Sequence, residues 1–191
     1  MTTMVFLLEE PSAQAMLESF LPRILPEGYE AKFVVFEGKS DLEKRLVLRL
    51  REWQKPDCQF IILRDQDSAV CKDVKAFLRQ KCNEGQHPET LIRIACHELE
   101  SWYLGDLLAV EAGLEITGLA RLQNKAKYRN PDLIANSAEE LKKITKCRYQ
   151  KISGSREIGK HLEVDRNLSH SFTVFTEGLF RLWGDSHETT I

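Results

Sequence analysis

The stretch Gln59–Cys71, "QFIILRDQDSAVC", places Asp65 and Asp67 on either side of one glutamine, directly after the apolar run Phe60–Leu63. Carboxylates in that position have two uses. They can stabilise the start of a following helix, where negative charge meets unsatisfied N–H groups. Alternatively they can hold a hard divalent cation, which takes oxygen ligands and keeps several waters. Further acids stand at comparable places: Glu9 and Glu10 follow "MVFLL", and Glu98 and Glu100, behind His97, follow "LIRIA". Two or three carboxylates suffice for Mg²⁺ or Mn²⁺ when water or a substrate phosphate supplies the remaining ligands.

The elements that must position these acids are legible as an alternation. Residues 4–9, 31–37, 60–65 and 91–95 are short runs rich in Val, Ile, Leu and Phe with little polar alternation, the pattern of strands covered on both faces. Helical patterns lie between them. Ser12, Ser40 and Ser68 are candidate N-caps for helices over 13–25, 41–53 and 69–82, with Pro22 expected to kink or shorten the first. Leu42, Leu46, Leu50 and Trp53 form one stripe of the second. A fourth amphipathic pattern runs over 97–113 and ends at Gly113.

Alternating strands and helices predict an α/β fold with a mainly parallel sheet of about four strands. In such sheets ligands bind beyond the carboxyl ends of the strands, which is where three of the runs deliver their acids. After residue 115 the pattern loosens through "LQNKAKYRNPDLIANS" into helical pieces over 138–147, 155–163 and 170–183. We therefore expect an α/β core over 1–115 and a helical C-terminal portion over 116–191 packed on it, with a frayed tail "GDSHETTI".

Composition narrows the classes. The chain has 191 residues, 42% hydrophobic and 29% charged, with a net charge of -2. A chain of this size buries roughly 70% of its unfolded surface and needs no disulfide or metal to fold. Charge is distributed unevenly: residues 1–115 carry fourteen Lys/Arg against twenty Asp/Glu, and residues 116–171 carry twelve against six. Such an asymmetry suits an acidic cation site beside a basic surface for phosphates, and equally a mixed solvated surface. Five cysteines without C-x-x-C spacing argue against a zinc ribbon and a disulfide framework. No basic n-region opens the chain and no apolar run reaches about 18 residues, so neither a signal peptide nor a membrane span is expected, and the expected location is cytoplasmic. Neither His97 nor His170 has zinc-ligand spacing. The G-x-S-x-G elbow, the Walker loop and G-x-G-x-x-G after the first strand are all missing from the sequence. A phosphoacceptor receiver domain would need a Lys at a late strand end, which "LIRIACHE" does not supply.

Six blocks in order, "LLEEPSAQAMLESFLPRILPE", "FEGKSDLEKRLVLRLREW", "ILRDQDSAVC", "RIACHELESWYLGD", "KAKYRNPD" and "KISGSREIGKHLEVDRNLSHSFTVF", resemble the family known as domain of unknown function 4276. The resemblance runs from about Val5 to Phe180. That family is regarded as similar to Toprim domains, the metal-binding, Rossmann-like module of topoisomerases, primases and overcoming-lysogenization-type nucleases. Its members often lie beside genes for ATPases of the ABC/SMC type, which points to bacterial antiviral defence or DNA maintenance.

What the resemblance implies can be placed residue by residue. The Toprim strand-one glutamate falls on Glu9, the Asp-x-Asp on Asp65 and Asp67, and the family's Glu-Leu-Glu-Ser-Trp block on Glu98 to Trp102. Two departures mark this chain: Glu10 and Pro11 stand where a Toprim glycine usually follows, and Arg64 precedes Asp65 in place of an apolar residue. The implied activity is divalent-metal-dependent phosphodiester hydrolysis of DNA or RNA, with Mg²⁺ or Mn²⁺ among Glu9, Asp65 and Asp67 and with Glu100 nearby. Lys151, Arg156, Lys160 and Arg166 are candidates to stabilise charge on the phosphorus. Lys125, Lys127 and Arg129 are candidates to track a nucleic-acid backbone, with Tyr128 to stack on a base. The alternative is a non-catalytic Toprim-like adaptor docking on a partner ATPase, in which Trp102, Tyr103 and Phe172 act as packing or interface anchors.

Overall fold

A computed structural model describes residues 1–184. Four strands, β1 (Thr2–Leu8), β2 (Tyr29–Val35), β3 (Cys58–Asp65) and β4 (Leu91–Ala95), form one parallel sheet in the order β2-β1-β3-β4. The chain is an α/β protein with helices on both sheet faces, as the alternation predicts. Strands start two residues earlier than their apolar runs at β1, β2 and β3, because pairing continues past the last fully apolar residue.

Alternation along the strands separates two cores. Met4, Phe6, Leu8, Ile61 and Leu63 face one side, with α1 (Pro11–Phe20), α4 (Glu100–Leu104), α5 (Leu107–Gly113), α7 (Lys151–Gly159) and α8 (His170–Leu182). Val5, Leu7, Phe60, Ile62, Ile92 and Ile94 face the other, under α2 (Lys39–Arg51) and α3 (Cys71–Glu84). The stripe Leu42, Leu46 and Leu50 is buried there as expected, and Trp53 packs against it partly covered. From the second half of the chain, Leu141 of α6 (Ser137–Ile144), Tyr149, Ile158, Phe172 and Phe175 enter the first core. The expected frayed tail "GDSHETTI" lies outside the described residues except for Gly184.

Several local expectations are corrected. Helix α1 begins at Pro11 rather than after Ser12, with Glu10 as N-cap residue, because proline is pre-organised for the first helical position. Pro22 ends α1 at Phe20, and the chain continues as one 3₁₀ turn over Leu21–Arg23. Helix α2 starts at Lys39, behind Gly38, and α3 starts at Cys71, behind Val70, so neither Ser40 nor Ser68 caps. The long pattern over 97–113 is two helices, because Asp106 breaks it and caps α5 by accepting from the Ala109 N–H at 3.1 Å.

Helices α1 and α7 pack against each other at the carboxyl edge of the sheet. They approach so closely that a Cβ on Gly159 would lie 2.6 Å from the Met16 carbonyl oxygen. That contact carries Lys151, the first residue of α7, to Glu10 at the start of α1, where the two form an ion pair.

Candidate functional site

Strand order reverses direction between β1 and β3, since β2 lies on one side of β1 and β3 on the other. At such a switch point the connections diverge and leave a crevice at the carboxyl edge. Glu9 and Asp65 stand at that point. Leu8 is in register with Leu63, the Asp65 N–H donates to Glu9 Oε2 at 3.3 Å, and a cavity of about 10 Å³ between them is lined by Glu9, Glu10, Arg64 and Asp65. It has room for about one water or ion.

Side-chain parity then divides the acids. Glu9 is in phase with Val5 and Leu7, and its neighbours belong to the α2 side. Arg64, only 5% exposed, lies with its Nε 3.8 Å from Glu9 and its Nη1 2.5 Å from Glu43. Asp67 adopts a left-handed turn, φ 54°, and pairs with Lys39 Nζ at 2.8 Å. Asp65 is in phase with Ile61 and Leu63 and belongs to the opposite side, with Glu100, Glu10 and Lys151. Glu9, Asp65 and Asp67 thus share an edge without facing one point. Among the described residues no three His, Cys, Asp or Glu side chains stand close enough to hold an ion as they lie.

Electrostatics identify the strained members. Asp65 is raised well above the usual carboxylate range by burial and then by the charges of Glu100, Glu9 and Glu10, with the charge of Lys151 opposing them. Among the described residues its carboxylate takes no hydrogen bond and no ion pair. Burial, then Asp67, raises Glu9, and Arg64 offsets this only in part. Glu100 is 1% exposed and is raised by burial, although Tyr149 Oη donates to its Oε1 at 2.8 Å. Burial works against the charge of Lys151, yet the hydrogen bond to Glu10, with the charges of Glu10, Glu100 and Asp65, raises its pKa overall.

The donor set suits a hard divalent ion in chemistry: every acid is an oxygen ligand, and Asp65 lacks a partner. Two of the edge acids, Asp67 and Glu10, are instead committed to Lys39 and Lys151.

Other expected residues lie elsewhere. Arg156 pairs with Glu18 at 3.6 Å, Lys160 with Glu157 at 2.6 Å, and Lys127 with Glu140 at 2.5 Å. Arg129 donates to the Asn124 carbonyl. Arg166 makes a two-pronged contact, 2.8 and 2.9 Å, with the buried Asp106. Lys125 is exposed at the head of the same loop as Arg129. Tyr128 is buried and donates to Glu140 at 2.5 Å, so its ring is not presented for stacking. Trp102, Tyr103 and Phe172 are core residues with no exposed surface. Glu98 caps α6 through the Ala138 N–H at 2.8 Å rather than its own helix. Sequence reasoning missed Lys39, Glu43 and Tyr149, which carry no motif and meet the acids only through tertiary packing.

Residues 8–179 match the family model described as "Domain of unknown function (DUF4276)". No curated protein and no solved structure matches the chain. A match covering this much of 191 residues decides the family: this chain belongs to DUF4276, a domain whose function is unknown.

Proposed function

We propose that the chain is a Toprim-type nuclease that hydrolyses phosphodiester bonds in DNA or RNA with Mg²⁺ or Mn²⁺, working beside an ABC/SMC-type ATPase in a defence system. The observation that carries the reading is the crowding of Glu9, Asp65 and Glu100 at the switch point of the sheet, with Asp65 left without a partner. A fold that needed these acids only for solubility would not place the buried Glu9 and Glu100 around the part-buried Asp65, since burying charged groups near one another is costly. Asp65 and Glu9 are the residues that would hold the ion, with Glu100 behind Asp65. Bound there, a divalent ion would polarise a phosphodiester oxygen and lower the pKa of an attacking water. Lys151 stands beside Asp65 and Glu100 and is held protonated, so it can bind a phosphate oxygen and stabilise charge as it develops. Tyr149 fixes the Glu100 carboxylate by its hydrogen bond.

A second reading, a non-catalytic adaptor on the ATPase, is favoured by the ion pairs Lys39–Asp67 and Lys151–Glu10, which satisfy two edge acids without a metal. Calorimetric titration of Mg²⁺ and Mn²⁺ into wild type and Asp65→Ala separates the two. Binding that depends on Asp65, with metal-dependent cleavage of nucleic acid in the presence of the ATPase, is the expected result. A wild type that binds neither ion sinks the nuclease.

A further inference from the structure

The two edges of the sheet are finished differently. At β4, four of five residues are buried, and α8 covers the strand, with Arg93 Nε donating to the Val174 carbonyl at 2.9 Å. At β2, no residue is buried: six of the seven are part-exposed, including Phe33, Val34 and Val35, and Lys32 is exposed. Among the described residues no strand pairs with the outer side of β2.

Backbone phase tells which groups are free. The Gly28 carbonyl accepts from Thr2 and the Phe36 N–H donates to Leu8, so the even-numbered residues between them turn their N–H and C=O groups toward β1. The odd-numbered ones, Tyr29, Ala31, Phe33 and Val35, turn theirs outward. Among the described residues only the Tyr29 N–H of these is engaged, by the Pro26 carbonyl at 3.3 Å. Such an edge is a template for another strand.

The side chains say which strand. Glu30 and Lys32 lie on one face, where Glu30 pairs with Lys55 and Lys32 lies over the Trp53 ring at 5.2 Å. In an antiparallel pair of two β2 strands related by a two-fold axis at Ala31, each Glu30 stands opposite the second copy's Lys32. These are non-hydrogen-bonded positions, where side chains come closest. On the other face Tyr29 meets Phe33, an aromatic pair, and Ala31 meets itself. The Ala31 and Phe33 N–H groups then donate to the second copy's Ala31 and Tyr29 carbonyls. A shift by one step of the ladder, with the axis at Lys32, sets lysine against lysine. A lone edge lysine is a common device against pairing; with Glu30 two residues away on the same face, it selects a register instead. We propose that β2 is a self-association edge, through which two copies form a two-fold dimer with one continuous eight-stranded sheet. The twofold is normal to the sheet, so the two acidic edges face opposite ways and each copy keeps a complete site.

Sedimentation velocity over a concentration series of the full chain tests this. Wild type is expected to dimerise, and Lys32→Glu and Glu30→Lys are each expected to weaken the dimer by about tenfold or more. An equimolar mixture of the two variants is expected to dimerise again, since both facing pairs are then opposite in charge. Ala31→Pro, which removes an outward N–H and leaves the ladder to β1 intact, is expected to abolish it with the circular dichroism unchanged. Hydrogen exchange at Ala31 and Phe33 is expected to slow as concentration rises. A monomeric wild type overturns the proposal. So does a dimer indifferent to both charge variants, or protection of those amides that is independent of concentration, which would mean that the chain covers its own edge.

Discussion

The Tyr149 hydroxyl donates to Glu100 Oε1 at 2.8 Å, and neither side chain is more than 1% exposed. The same hydroxyl lies 3.2 Å from Ser155 Oγ, and the ring packs against Gly154, where a Cβ would come within 2.6 Å of it. The tyrosine is therefore fixed from three directions and in turn fixes the deepest acid of the site. Tyr149→Phe removes the donor and leaves a buried carboxylate short of a partner, at a cost of about 1–3 kcal/mol. Scanning calorimetry should show a fall in Tm of about 2–4 °C per kcal/mol for a chain of this size. An unchanged Tm would mean that Glu100 does not depend on Tyr149.

Lys39 and Asp67 form a half-exposed pair at 2.8 Å, and hydrogen bonding to Asp67 is the main reason the Lys39 pKa is raised. Exposed pairs of this kind contribute little to stability, because solvent screens them. Lys39→Ala should therefore leave stability nearly unchanged while releasing Asp67 toward Glu9, whose charge it already influences. The expected outcome is tighter binding of Mn²⁺ by calorimetry. Weaker binding would show that Lys39 orients Asp67 rather than restrains it.

The raised carboxylates set a pH dependence whose sign is opposite to that of an ordinary salt bridge. Glu9, Asp65 and Glu100 hold protons in the folded state above their ordinary values of 4.5, 3.8 and 4.5. Between those values and the raised ones the folded state binds more protons than the unfolded, so stability falls as pH rises. Well below the ordinary values the effect is absent, and above the raised pKa values it is complete. Acids with lowered pKa values, such as Glu111 and Glu140, act in the other direction, so the informative quantity is a difference between variants. Asp65→Asn keeps the shape and removes the charge. It should be more stable than wild type by about 0.5–2 kcal/mol at neutral pH in chelator, and the gap should close on acidification. Thermal melts across pH provide the check. A gap that widens toward acid would contradict the assignment.

How far the sequence reached follows from what kind of interaction fixed each feature. The four strands were readable because both faces of the sheet are covered, which forces continuous apolar runs. The edge acids were readable because the parallel order sends every strand end to one side. What parity does to those acids was not, since it depends on where each strand stops: β1 ends at Leu8 and β3 at Asp65, so Glu9 and Asp65 leave on different faces. Helix starts failed for a local reason. Glu10, Gly38 and Val70 took the cap positions that serines would otherwise mark. Arg166 illustrates the remaining gap. A basic residue in a family block reads as a phosphate contact, yet Asp106, buried by the break between α4 and α5, holds it from 60 residues away in sequence.

Lys151 is the residue on which structural and chemical roles divide most sharply. It begins α7, pairs with Glu10, and its charge opposes those of the acids around Asp65. If its task is to stabilise developing charge on phosphorus, Lys151→Met should lower the rate constant for cleavage by about 10²–10³. Metal binding should persist in that variant, because Lys151 is not a ligand. If its task is only to partner Glu10, then Glu10→Gln should lose activity to the same degree, since either change breaks the pair. Glu10→Gln instead leaves the lysine charged and free beside Asp65, so the first role predicts near wild-type cleavage. Comparing kcat for the two variants under saturating Mn²⁺ therefore decides between them. Equal losses would assign the ion pair to holding α7 against α1, and would move the search for the phosphate contact away from this helix.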